Sequence, residues 1–144
     1  MTPPRILLRV FWAAHRLIHR LSGGRLGTSA PTTGVGTLFL LSRGRTSGTI
    51  RRNGLFYLVD GAKLVVVASN AGDAADPQWW LNLQATPAAE VELPGRERRA
   101  VLARRATVEE AARLWPRLEA GFAQFAAYRA RSPREIPIVI LEPR

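Results

Sequence analysis

Apolar residues recur at two different intervals along the chain, and the change of interval divides it. Over residues 5 to 21 the spacing is helical. Ile6, Leu7, Val10, Phe11, Ala14, Leu17, Ile18 and Leu21 cover one arc, while Arg5, Arg9, Arg16 and Arg20 gather near the opposite face with His19 beside them. Gly23 and Gly24 end the pattern, and residues 25 to 36, rich in Gly, Ser, Thr and Pro, predict a crossing loop. From Thr37 onward the pattern is that of strands. Strands are predicted over 37–42, 53–59 and 63–69, the last two joined by the hairpin dipeptide Asp60-Gly61. A helix is predicted over 77–85 with Pro77 in its first turn. Strands over 90–93 and 98–105 turn through Pro94-Gly95. Thr107 and Glu110 have the spacing of a capping box, and the helix behind them meets Pro116, which predicts a kink or a restart. A second helical stretch runs to about Arg129, and 136–141 is the last strand. About six strands with helices between them predict an α+β protein, a compact antiparallel barrel with helices on its rim.

Charge changes this picture at one end. The first 59 residues carry nine arginines and no acidic residue, and the whole chain of 144 residues has a net charge of +10. An anionic partner follows, although charge alone does not name it. The N-terminal helix has two readings: a helix packing its apolar arc on the domain, or an interfacial helix on an anionic membrane surface through residues 5–21. No apolar run is long enough for a membrane span, and no cleavage site follows the helix, so the chain is expected to be cytoplasmic or peripheral at the inner face of the membrane. With no cysteine, disulfides, thiolate nucleophiles and Cys-built metal sites are excluded. His15 and His19 are four apart but separated by Arg16, Leu17 and Ile18, so no metal is expected. A basic protein of this kind has two alternative roles, non-specific nucleic-acid binding through its basic face and peripheral membrane attachment without catalysis; the aromatics, in apolar helical settings rather than alternating with basic residues on a strand, argue against nucleic acid as the main function.

Three segments carry candidate chemistry. Gly44-Arg45-Thr46-Ser47-Gly48-Thr49-Ile50-Arg51-Arg52 combines turning glycines, hydroxyls and guanidinium forks. It reads either as an anion cradle or as a solvated basic turn. Ser69, Asn70, Ala71 and Gly72 leave a strand in a loop able to present backbone N–H groups to a planar polar ring. Trp79 and Trp80 follow on neighbouring helix positions and point different ways, one to the core and one to flank a pocket. Phe122, Phe125 and Tyr128, three apart, share one helix face as a packing stripe or as the wall of a substrate pocket. Acid–base groups are few, so an enzyme of this composition relies on a cofactor for its chemistry.

Four runs, in order, resemble the deazaflavin-dependent nitroreductase family, which uses coenzyme F420: Leu-Ser-Arg-Gly-Arg-Thr-Ser-Gly at 41–48, Val-Val-Ala-Ser-Asn-Ala-Gly-Asp at 66–73, Pro-Gln-Trp-Trp-Leu-Asn-Leu-Gln-Ala-Thr-Pro at 77–87, and Arg-Glu-Ile-Pro-Ile-Val-Ile-Leu-Glu-Pro at 134–143. The resemblance implies a split antiparallel β-barrel over 25–144, preceded by the N-terminal amphipathic helix of 1–24. It implies hydride transfer from reduced F420 to a quinone, nitro compound or similar hydrophobic acceptor, with FMN as the alternative cofactor and a non-catalytic cofactor carrier as the alternative role. On that match Arg45, Thr46, Ser47, Gly48 and Arg51 serve the cofactor's charged tail. Ser69, Asn70, Ala71, Gly72 and Trp79 hold its ring, Phe122, Phe125 and Tyr128 face the acceptor, and Tyr128 and Ser69 are the catalytic candidates. A homodimer follows by analogy of fold. The sequence departs from the family pattern at Thr46 and Ile50, where Lys and Pro are usual, at Phe122 and Phe125, where tyrosines are usual, and at Asp76, where His is frequent. Arg51 and Arg52 are expected to compensate for the missing lysine.

Overall fold

The computed structural model describes residues 6, 9–12, 28–31 and 34–144. Strands β1 (Gly36–Arg43), β2 (Ile50–Asp60), β3 (Lys63–Val67), β4 (Ala88–Leu93), β5 (Glu97–Arg105) and β6 (Ile138–Pro143) close into one antiparallel barrel in the order β1-β2-β3-β6-β5-β4. Helix α1 (Gln78–Ala85) lies between β3 and β4, and α2 (Val108–Gly121) and α3 (Gln124–Arg131) lie between β5 and β6. The expected α+β barrel with flanking helices is the fold observed.

Side-chain alternation sorts the wall of this barrel into two cores. Leu38, Leu40, Leu64, Val66, Val91, Val101, Val139 and Leu141 fill the interior with Trp79, Trp80 and Leu83 of α1. The intervening residues Leu58, Val65, Val67, Ile138 and Ile140 face outward and are covered by Leu114 and Leu118 of α2 and by Phe125 and Tyr128 of α3. β3 and β6 are therefore buried on both faces, which is why they read as unbroken apolar runs rather than as alternating ones. Each such side chain withdrawn from water contributes roughly 1.5–3 kcal/mol before entropy is counted.

The strand limits shift slightly from expectation. β2 starts at Ile50, because that residue pairs with Arg43 and extends the β1–β2 ladder three residues. β3 stops at Val67, and β6 begins at Ile138. Pro116 does not restart a helix: α2 runs through it to Gly121. The break falls at Phe122, which is extended at φ −146° and ψ 98°. Gly121 ends the helix where a Cβ would meet Val35 Cγ1 at 2.9 Å and the Gly34 carbonyl carbon at 3.0 Å, so close backbone approach, not proline, sets the boundary. Of the N-terminal helix, Ile6 and Arg9–Trp12 are helical. Arg5, His15, Arg16, His19 and Arg20 fall outside the described residues.

The capping box forms as expected. Thr107 Oγ1 accepts from the Glu110 N–H at 3.1 Å, and Glu110 Oε1 accepts from the Thr107 N–H at 2.9 Å. Glu110 also receives Arg104 in a fork, at 2.7 and 2.9 Å, while Arg104 Nε donates to Glu142 at 2.7 Å. This network ties α2 to β5 and β6. The Arg104 guanidinium, helped by the Thr107 backbone, holds the Glu110 carboxyl at about 2, against an ordinary value of 4.5. Glu110→Ala is expected to cost about 2–3 kcal/mol, since it removes a cap and charge-assisted bonds together. A lowered folded-state pKa gives stability that is complete above the unfolded value and is lost as pH falls through the folded one. The difference between wild type and variant should therefore shrink between pH 4.5 and about 2. Urea unfolding across that range checks both statements.

Candidate functional site

A cavity of about 480 Å³ opens between β2, the segment from Ser69 to Trp79, and α3, with Arg9 and Trp12 at its margin. Its volume suits a medium-sized ligand. One wall is built by backbone. After β3 the chain makes a 3₁₀ turn in which Asn70 (φ 46°), Ala71 (φ 57°) and Gly72 (φ 80°) are all left-handed. Only glycine takes that conformation freely, and other residues give up about 1–2 kcal/mol each. Gly72 is required here for a second reason, because a Cβ would lie 2.9 Å from the Tyr128 carbonyl oxygen and 3.1 Å from its Cα. Arg134, between α3 and β6, holds the turn from behind. Its Nη2 donates to the carbonyls of Ala68, Ser69 and Ala75 at 3.0–3.2 Å, its Nε to that of Asp73 at 3.2 Å, and its Nη1 lies 3.0 Å from Asp76 Oδ1.

The opposite wall is aromatic. Phe122 and Phe125 meet edge to face at 4.9 Å, and Phe56 of β2 joins them at 4.4 Å from Phe122. Tyr128 completes the group at 6.2 and 6.3 Å from the two phenylalanines. Its ring is 2% exposed and its hydroxyl oxygen is enclosed without a hydrogen-bond partner. An unmet buried hydroxyl costs about 1–3 kcal/mol, which a ligand atom able to bond with it would recover. Burial pushes the phenol above its ordinary value, with Arg131 opposing, so at neutral pH the group is an un-ionised donor. Trp79 lines the cavity, whereas Trp80 packs in the barrel interior and does not.

Ser69, Asn70, Ala71, Trp79, Phe122, Phe125 and Tyr128 thus surround one space. Gly72 abuts α3 just behind it. Arg45, Thr46, Ser47, Gly48 and Arg51 do not line the cavity; they form an exposed turn beyond the start of α1. The turn is closed by Gly44 N–H to Thr49 carbonyl at 2.7 Å and Gly48 N–H to Gly44 carbonyl at 2.8 Å. Arg45 joins turn and cavity. Its Nη2 donates to Gln78 Oε1 at 2.8 Å, and its backbone N–H and Nη1 donate to the buried Asn82 Oδ1 at 3.1 and 2.8 Å. Gln78 lines the cavity. Arg51 remains exposed, with a long 3.4 Å contact to Ser47 Oγ. Arg52 does not reinforce the turn: it is ion-paired with Glu92 at 2.8 Å and lies over Phe39 at 4.1 Å. Of the two arginines expected to compensate, Arg51 is the one that stays beside the turn.

Sequence reasoning passed over Arg134, Gln78, Asn53 and the pair Gly54–Trp12. A lone glycine inside a strand signals close approach, and here the Trp12 ring occupies the place a Gly54 side chain would take. Trp12 also meets Phe56 edge to face at 5.3 Å, so the N-terminal helix abuts the site. Among the described residues no cluster of three His, Asp or Glu suits a metal ion.

A closed six-stranded barrel with a slot, an aromatic wall and an exposed basic turn near one end defines the class of small split-barrel proteins. Comparison narrows the class. Residues 12–143 match the family described as F420H(2)-dependent quinone reductase. Rv3178 of Mycobacterium tuberculosis, whose name places it in that family, is 41% identical over 110 residues, covering 76% of this chain and 92% of its own. A solved F420-H2 dependent reductase, FDR-A, superposes with a TM-score of 0.67 at 28% identity over 74% of this chain and 93% of its own. Another chain, solved as a domain-swapped dimer, reaches 0.71 at 25% identity over 97% of this chain and 100% of its own. The chain belongs to the F420H(2)-dependent quinone reductase family and is an F420-dependent oxidoreductase. The cavity fits that cofactor: it has a slot for a ring, an orphaned hydroxyl in one wall and guanidinium groups beyond one end.

Proposed function

We propose that the cavity between Ser69–Trp79 and α3 is where the cofactor ring and a quinone-type acceptor meet, with the cofactor tail leaving past Gln78 toward the 44–51 turn. When bound, reduced F420 supplies the hydride. The residues of the chain do the rest. Ser69, Asn70, Ala71, Gly72 and Trp79 seat the ring; Thr46, Ser47, Gly48 and Arg51 take the tail, and Arg45 keeps the turn docked on α1. Phe122 and Phe125 exclude water and offer faces to a hydrophobic acceptor. Tyr128 donates its proton toward the acceptor oxygen that gains negative charge. The Ser69 hydroxyl has no partner among the described residues and is placed to bond a ring substituent. The observation that carries the reading is the enclosed Tyr128 hydroxyl, left without a hydrogen-bond partner beside the aromatic wall of Phe122 and Phe125.

Fluorescence titration with oxidised F420 and with FMN tests the proposal. Saturable, preferential F420 binding is expected. Absence of F420 binding removes the site assignment, and preference for FMN moves the protein to flavin chemistry on the same barrel. Arg51→Ala should weaken F420 binding by about 1.5–3 kcal/mol, on the order of 10- to 100-fold, with little effect on a tail-less deazaflavin. Equal losses for both ligands would place the tail elsewhere.

A specific observation also favours the membrane reading of the N-terminal helix. Ile6, Val10 and Phe11 are 68%, 61% and 49% exposed beside the basic Arg9. No helix among the described residues is long and apolar enough to cross a membrane. Residues 1–24 then form an element that lies on the inner, anionic face of the membrane in the cytoplasm, while 25–144 form the cofactor domain. Ile6→Ser with Val10→Ser should lower co-sedimentation with anionic vesicles several-fold and leave F420 affinity unchanged. Undiminished sedimentation would make the helix a packing element only. A homodimer, as in the domain-swapped relative, completes the proposal, and sedimentation equilibrium reads it directly.

A further inference from the structure

We propose that Arg134 is a positioning residue for catalysis: it clamps the left-handed Asn70–Gly72 turn so that the ring-seating backbone stands at a fixed distance from the α3 wall. This rests on the site assignment above. Arg134 does not itself line the cavity, but it bonds four residues that do, Ser69, Asp73, Ala75 and Asp76. Its guanidinium gathers four carbonyls, those of Ala68, Ser69, Asp73 and Ala75, which bracket the turn on both sides. The side chain is 17% exposed and neutralises Asp76, itself a cavity residue. Its own carrier is fixed, because Ser132 Oγ accepts from the Arg134 N–H at 3.2 Å and donates to the Arg134 carbonyl at 2.9 Å, one residue beyond the end of α3. One residue therefore ties both sides of the turn, through its side chain, to the segment that leaves α3, through its backbone. The geometry calls for such a clamp. Two adjacent non-glycine residues, Asn70 and Ala71, sit at positive φ, and strained backbone persists only where its surroundings over-determine it. A planar five-donor fork meets four carbonyls and a carboxylate in one fixed arrangement, whereas an ammonium group has only three donors and no planar fork to hold them.

Lysine separates geometry from charge. R134K keeps a cation beside Asp76 but loses the fork. F420 titration should show at least a tenfold rise in Kd, and hydrogen exchange of the Gly72 and Asp73 amides in the cofactor-free protein should accelerate at least tenfold. Thermal stability serves as the reference, with Arg104→Ala, which breaks a comparable network far from the slot, as control: it should lower stability without moving the Kd. Adding Ala71→Gly to R134K relieves part of the strain that the clamp opposes and should recover at least threefold of the lost affinity. Wild-type-like affinity and exchange in R134K would overturn the inference, as would failure of Ala71→Gly to restore anything, since the role would then be charge alone. Should R134K not fold, Ser132→Ala loosens the carrier and leaves the guanidinium in place; a threefold or greater loss of affinity is expected, and none would count against the clamp. If wild type itself fails to bind F420, the site assignment falls first, and the exchange measurement still decides whether Arg134 holds the turn.

Discussion

Tyr128→Phe is expected to lower turnover of a quinone acceptor by about 100-fold or more, the range typical of losing a positioned proton donor, while F420 affinity stays within about twofold. The substitution removes one oxygen and leaves the ring in its place between Phe122 and Phe125. Burial holds the phenol above its ordinary value, so it is protonated throughout the neutral range and contributes no titration of its own there. The pH profile of the residual rate should accordingly keep the wild-type shape between about 6 and 9. Stability gives an independent check. The hydroxyl is unsatisfied in the unliganded protein, so Tyr128→Phe should be neutral or stabilising there, by up to about 1–3 kcal/mol. Loss of activity with retained or raised melting temperature is the expected signature. Unchanged kcat would remove Tyr128 from the chemistry, and a lower melting temperature would show that its oxygen is bonded within the protein.

Gly72→Ala should be severe for a different reason. The new methyl would stand at φ +80° and within 2.9–3.4 Å of three backbone atoms of Tyr128. Backbone of a packed helix cannot yield as the tip of a flexible side chain does. A cost of about 2–4 kcal/mol is expected from conformational strain and overpacking together. F420 affinity should fall more than tenfold as the turn moves away from α3. Gly61→Ala is the internal control: φ is +62°, but nothing lies within 4 Å of the added atom. That variant should lose only the conformational part, about 1–2 kcal/mol, and none of the affinity. Urea denaturation of both proteins, with F420 titration of each, separates the terms. Equal costs would mean that the contact with Tyr128 is relaxed without effort.

The elements legible in the sequence were those written by local chemistry. The Asp60-Gly61 hairpin and the Thr107/Glu110 capping box depend on residues within four positions of each other, and both form. The barrel followed from the number of strands and the few helices between them. Pro116 misled because a proline's cost is local whereas its acceptance is tertiary: Leu114 and Leu118, buried on either side of it, hold the helix together. The fate of individual arginines was not legible at all. Arg45, Arg51, Arg52 and Arg134 are alike as letters, yet one docks a turn on α1, one stays exposed, one pairs with Glu92 and one reaches carbonyls 59 to 66 residues away. Partners that distant leave no periodic trace. The seat of Trp12 over Gly54 exists only once β2 is folded.

Because consecutive residues of β3 serve opposite compartments, Leu64 and Val66 the barrel interior and Val65 and Val67 the layer under α2 and α3, inserting or deleting one residue there would exchange the two linings wholesale. The 44–49 turn belongs to neither compartment. On the tail assignment proposed above, natural variation in how many charges a cofactor carries at its far end would be followed by changing that turn alone, with the two linings inherited intact.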